Sequence, residues 1–269
     1  MTPLLSNRQN GVELTWFAVV NFYEGMPQEV YGHIRHHVLE PLYLATSLES
    51  LMDRSPLVIA LHDNDPIISS LPRENTIYFS AAKDVPLEQV VKHLRLRLEV
   101  QFSGERKGVF HYYIPSVASY FFRFSSQRDT SQWLGCLSSV YFYDQVISTS
   151  NEWGYIEGEL EQKKRLSTWV LTQSQEIALN EKFVEQEIEE WANSEKIELI
   201  DWSKQKSVNV FCTQHQIEEP RLLSRLRRLV HIYGVSLEQN SFQIDTNQAP
   251  ESIVEQIELV LSRESHYVY

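Results

Sequence analysis

The side chains best suited to chemistry in this 269-residue chain gather in two short stretches. In "LHDNDP", His62, Asp63 and Asp65 directly follow a β-branched run at 56–61. Many α/β enzymes hold an acid, a base or metal ligands at that place. The catalytic hypothesis is therefore a metal-dependent hydrolase using His62, Asp63 and Asp65. The same letters also make an ordinary strand-to-turn exit, in which Asp and Asn cap the next helix and Pro66 starts it. We adopt the turn reading. In "HIRHH", His33 and His37 stand at i and i+4, a spacing that puts two imidazoles on one helix face. Positions 34 and 35 are Ile and Arg, so the carboxylate of a zincin motif is missing. Both histidines are read as structural, and no metal or other cofactor is expected.

Nucleophilic catalysis finds no better footing. Ser116 sits in no G-x-S-x-G elbow, and nothing near Cys136 would lower a thiol pKa. The nine glycines are scattered, without a G-x-G-x-x-G or Walker-type run. No catalytic residue is assigned, and the chain is read as a non-enzyme. Cys136 and Cys212 lie in apolar settings without metal-ligand spacing, so both are expected to be buried free thiols in a reducing, cytoplasmic compartment.

Composition narrows the partners. With 42% hydrophobic and 22% charged residues the chain resembles an average globular protein. Its net charge of -12 opposes the phosphate-neutralising surface that nucleic-acid binding needs. Most of the excess is C-terminal, -9 over residues 151–269 against -3 over 1–150. No apolar run approaches a membrane span, and the N-terminus lacks the pattern of a signal peptide.

The elements that must position these residues form an α/β chain. Strands are expected at 13–22, 56–61, 75–81, 109–114, 138–145 and in "EWGYIEGEL". A helix over 84–98 buries Leu87, Val90, Val91, Leu94 and Leu98 and turns Lys92, Arg95 and Arg97 to solvent. Pro115 starts another, with Val117, Ala118 and Phe121 inward. Beyond about 165 the pattern turns helical. One long helix carries Ile177, Val184, Ile188 and Trp191 on its apolar stripe and Glu181, Glu185, Glu187, Glu189 and Glu190 elsewhere. A second runs from Pro220 to a Gly234 cap with Leu222, Leu223, Leu226, Leu229, Val230 and Tyr233 inward. A third follows Pro250, with Ile253, Val254, Ile257, Val260 and Leu261 inward. "KSVNVFC" and "NSFQI" between them are strands or loops. The fold class is α/β: a lobe over 1–164 with a mixed sheet flanked by helices, and a mainly helical lobe over 165–269. Arg221, Arg225 and Arg228 share one face of the second helix. That face either pairs with the acidic helix of the same lobe or meets an acidic partner.

Residues 93–142 carry a resemblance. "KHLRLRLEV", "VFHYYIPSV" and "QWLGCLSSVYF" resemble the type VI secretion effector adaptors, often called Tap or TEC chaperones. His93, Leu94, Arg95, Tyr113, Pro115, Trp133 and Gly135 match in kind and order, while His111, Ile114 and Cys136 stand where Arg, Asp and Pro are common. With "TWFAVVNF" and "LSTWVLTQSQEIALNE" the similarity extends over roughly 14–195. It implies a cytoplasmic, non-enzymatic adaptor chaperone that holds a secreted effector by the effector's N-terminal region and delivers it to a VgrG spike protein. His93, Arg95, Tyr113, Pro115, Trp133 and Gly135 would be scaffold, and Arg221, Arg225 and Arg228 would be candidates for effector or spike binding. An effector-neutralising immunity protein is the remaining alternative.

Overall fold

The structure is a computed structural model that describes residues 5–26, 30, 32, 36–149, 151–158, 168–238 and 248–265. The chain divides into two compact units, Met1–Lys182 and Phe183–Tyr269. The lobe boundary expected at 164/165 lies outside the described residues.

The N-terminal unit is built on a sheet of β1 (Arg8–Gln9), β2 (Val12–Val20), β3 (Leu39–Pro41), β4 (Leu57–Ala60), β5 (Thr76–Ala82), β8 (Leu137–Tyr143) and β9 (Trp153–Glu157). Its order is β3-β4-β2-β5-β8-β9, with β1 paired to β2, and every one of these pairings is antiparallel. A small second sheet joins β6 (Glu99–Gln101) to β7 (Lys107–Val109) antiparallel and to β10 (Trp169–Val170) parallel. The fold class is thus α/β, with parallel pairing confined to the small sheet among the described strands.

Alternation along β2 sends Trp16, Ala18 and Val20 to one face and Phe17 and Val19 to the other. All five are buried, because both faces of the sheet are covered. On the first face they meet Met26, Val30, Ile59, Ile67 and Leu71. The second face is covered by α1 (Leu87–Leu96), α2 (Pro115–Phe124) and α3 (Gln127–Leu134), which contribute Val90, Val91, Leu94, Ala118, Phe121, Phe122, Trp133 and Leu134. Pro115 occupies the first turn of α2, where its missing N–H has no helical partner to lose.

Two expectations in this unit are corrected. Strand β7 stops at Val109, and 110–114 is a turn. A strand would send the neighbouring rings of Tyr112 and Tyr113 to opposite faces. The turn buries both beside Phe110 in one cluster. Arg97 does not face solvent: it is 5% exposed, because the helix ends at Leu96 and the chain turns inward there.

The C-terminal unit contains the later part of α4 (Gln173–Glu195), together with α5 (Trp202–Gln214), α6 (Pro220–Tyr233) and α7 (Pro250–Ser265). "KSVNVFC" is therefore helical, neither strand nor loop. Asp201 caps its helix by accepting from the Lys204 N–H, and Val208, Phe211 and Cys212 fall at helical spacing on one buried face. They pack against Leu222, Leu226 and Leu229 of α6 and Ile253, Val254 and Ile257 of α7. Gly234 ends α6 at φ 61°, a left-handed cap that suits glycine. Three side chains depart from the expected faces. Ile177 and Val260 are exposed, whereas Glu185 is buried. "NSFQI" falls at 240–244, outside the described residues.

Cys136 is only half-buried and Cys212 buried, and both are free. Burial raises both thiols, Cys212 to about 11, so neither is primed as a nucleophile. No described helix is long and apolar enough to cross a membrane.

Candidate functional site

The strand-to-turn exit after β4 folds largely as its sequence suggests. Asp65 caps a short 3-10 helix, Pro66–Ser69, accepting from the Ile67 N–H at 3.1 Å, with Pro66 in the first position. Asp65 is buried and also accepts from the His62 N–H at 2.9 Å. The partner that the linear sequence hid is His37, whose Nε2 lies 2.6 Å from Asp65 Oδ2. Burial alone would raise the Asp65 pKa, but the bonds from His62, His37 and Ile67 outweigh it and hold the carboxyl below its usual range. The His62 ring is exposed and its centroid is 5.0 Å from that of His37. The three residues that converge are His37, His62 and Asp65. Asp63 is exposed and outside this group, so the predicted trio His62, Asp63, Asp65 is not the one the fold assembles. His33 lies outside the described residues.

The three arginines of α6 share a face, and that face is largely engaged. Arg225 pairs with Glu258 of α7, and Arg228 with Glu195 at 2.5 Å. Arg221 is the freest, 78% exposed and 4.0 Å from Glu219. Beside Arg228 a shallow groove is lined by Glu195, Ile197, Leu199 and His231, with Leu199 86% exposed. The neighbouring Arg227 points the other way into the unit. Its guanidinium donates to the Glu187 carbonyl at 2.8 Å and to Asn209 Oδ1 at 3.1 Å.

The residues behind the resemblance converge on the core of the N-terminal unit. His93 Nε2 donates to the Trp133 carbonyl at 2.9 Å, and Arg97 Nε donates to the same oxygen at 2.9 Å. Arg97 also reaches the Gln132 carbonyl at 3.2 Å and lies against the rings of Trp133 and Trp169. Burial and the Arg97 charge push the His93 pKa down to about 3, so its ring is neutral. Arg95 leaves α1 in the other direction, donating to the carbonyls of Leu42 and Pro41 and pairing with Glu40, which ties the β3 segment to the helix. The Tyr113 hydroxyl lies 2.5 Å from Tyr43 Oη and 2.6 Å from His111 Nδ1. Gly135 follows α3 at φ 60°, in a conformation open mainly to glycine. Together these contacts tie α1 to the β3 segment on one side and to the end of α3 on the other, within the continuous segment that runs from β2 to the end of α3.

That segment matches a known family. Residues 16–136 match the family described as Domain of unknown function (DUF4123). No curated protein and no solved structure matches the chain. The matched segment contains all seven residues behind the resemblance, His93, Leu94, Arg95, Tyr113, Pro115, Trp133 and Gly135, and also His37, His62 and Asp65, but none of the α6 arginines.

Sequence reasoning missed Arg97, Glu185 and Arg227 as buried charges. For Arg97 a signal existed in its position one residue past the last helical turn, where the next residue, Leu98, is apolar. For Arg227 the signal was its place between Leu226 and Leu229 on the buried side of α6. His37 and Asp65, 28 residues apart, carried no local sign of each other.

Proposed function

We propose that this chain is an adaptor chaperone without catalysis of its own, which binds a type VI secretion effector by the effector's N-terminal region and loads it onto a VgrG spike protein. The observation that carries this reading is the DUF4123 match over 16–136, a family linked to type VI secretion effector adaptors. The geometry is compatible with it. The signature side chains are spent on backbone carbonyls and aromatic packing inside the N-terminal unit, which makes that unit a frame. Partner contacts then fall to exposed surfaces. The Leu199 groove on the C-terminal unit joins an exposed apolar side chain to a charged rim of Glu195 and Arg228, the usual anatomy of a protein-docking patch. Arg221 adds a cation on α6 for an acidic partner.

The test is co-purification from the native host with a tagged copy, reading the captured proteins by mass spectrometry. Recovery of an effector together with a VgrG-type spike is the expected result. Capture of an effector without a spike, together with inhibition of that effector's activity, would replace the adaptor by an immunity protein. Capture of neither by the folded protein would overturn the reading.

A further inference from the structure

We propose that His37, His62 and Asp65 form a binding site for one divalent transition-metal ion of the zinc class. This inference is independent of the adaptor reading, because it rests on the cluster alone. One donor atom from each of the three residues lies within 4.8 Å of the other two. Zinc holds imidazole nitrogens and carboxylate oxygens at about 2.0–2.2 Å in a tetrahedron, so neighbouring donors need separations of roughly 3.3 Å. With Asp65 held in place, rotation of the His37 and His62 side chains would bring the three donors to that spacing, His37 drawing back from its present 2.6 Å contact.

Three features favour a cation over a purely structural hydrogen bond. Asp65 is anchored from the backbone side, Oδ1 by the Ile67 N–H and Oδ2 by the His62 N–H. Such second contacts fix a ligating carboxylate and are characteristic of metal sites. His37 has a side chain 8% exposed, and its Nδ1 is buried with no hydrogen-bond partner among the described residues. The bond to Asp65 is thus the one polar tie of that ring among the described residues, so little holds it from turning a nitrogen toward an ion. His62, finally, stands exposed over the pair at the rim of a groove lined by Trp16, Leu61, Asp65 and Ile68. It is free to close on an ion, and the groove provides access for one.

The donor set defines the class. Two imidazoles and one carboxylate suit zinc, nickel, copper or iron, whereas calcium and magnesium require mostly oxygen ligands. Three protein ligands leave a fourth position open toward the groove, the arrangement that distinguishes reactive metal sites from closed structural ones.

The experiment is calorimetric titration of the full chain, freed of metal with a chelator, with zinc and separately with magnesium. Cobalt is substituted to read ligand geometry from its visible spectrum. One zinc per chain, no comparable binding of magnesium and a tetrahedral cobalt spectrum are expected. His62→Ala, at an exposed side chain, is expected to leave the melting curve of the metal-free protein unchanged and to weaken zinc by more than about tenfold. His37→Gln tests the buried ligand in the same way, with circular dichroism to establish folding. Zinc affinity unaltered in His62→Ala, magnesium binding equal to zinc, or no saturable zinc binding to the wild-type chain would each overturn the site.

Discussion

A Cβ built on Gly135 would lie 2.6 Å from Cε1 of His93. The two residues, 42 positions apart, fit only as a pair, since the ring occupies the space that any other side chain at 135 would need. Gly135→Ala is therefore expected to destabilise the protein by about 2–4 kcal/mol, from overpacking and from a backbone at φ 60°. Chemical denaturation measures it. In a His93→Ala background the cost should shrink but persist, because the clash is relieved and the backbone conformation is not. An undiminished cost would remove His93 as the cause.

The neutral ring of His93 predicts a pH dependence with a definite sign. Its folded pKa is depressed to about 3 from an ordinary 6.5. Below about pH 6.5 the unfolded chain takes up a proton that the folded chain refuses. Stability from this group is full above 6.5 and declines as pH falls toward 3, by up to about 1.4 kcal/mol per pH unit. His93→Gln, which retains a donor for the Trp133 carbonyl, should flatten that slope in denaturation curves recorded from pH 7 to 5. Parallel curves for the two proteins would refute a buried neutral His93.

Arg97 binds two backbone carbonyls from a buried position against two indole rings. Burial lowers its pKa to about 10, still leaving it charged at neutral pH. Arg97→Met should cost about 2 kcal/mol or more, the worth of charge-assisted bonds left unmade. Arg97→Lys should recover little of it, since an ammonium cannot reproduce the planar fork. Thermal unfolding of the two variants would check this.

In the C-terminal unit Glu185 is 1% exposed and bonds Lys206 at 2.6 Å. Lys206→Met removes the charge bonded to Glu185 and should cost about 3 kcal/mol, whereas Glu185→Leu combined with Lys206→Met should be closer to wild type. A double variant no more stable than the single one would contradict this account.

Leu199 and Arg221 test the proposed partner surface without disturbing the core. Leu199→Asp and Arg221→Glu are expected to leave melting temperatures within a degree or two and to weaken effector capture at least about tenfold when combined. Charge reversal at Arg225 or Arg228 is a poorer probe, since each also pairs within the unit. Full capture by the Leu199→Asp, Arg221→Glu protein would clear that face of a role.

Periodicity was enough to recover β2, β4, β5, β8 and β9 and helices α1, α2, α6 and α7, because each buries a face whose spacing is written locally. Proline and glycine punctuation did the same for the ends, as at Pro115, Pro220 and Gly234. Where that logic failed, tertiary packing had overridden it. The aromatic run at 109–114 looks like a strand, yet burying adjacent rings in one cluster requires a turn. The "KSVNVFC" segment has β-branched residues suited to a strand, yet the neighbouring helices offer one face to cover.

The sequence by itself determined the α/β class, the helical C-terminal part and the turn after β4. Only the tertiary structure decided which charges are interior and which side chains meet. His37 with Asp65, His93 with Gly135 and Arg97 with the Trp133 carbonyl are joined across 28, 42 and 36 positions. Contacts of that span arise from chain reversals through the sheet and helices, and no local pattern encodes them, because periodicity reports which face a residue occupies and not what lies opposite.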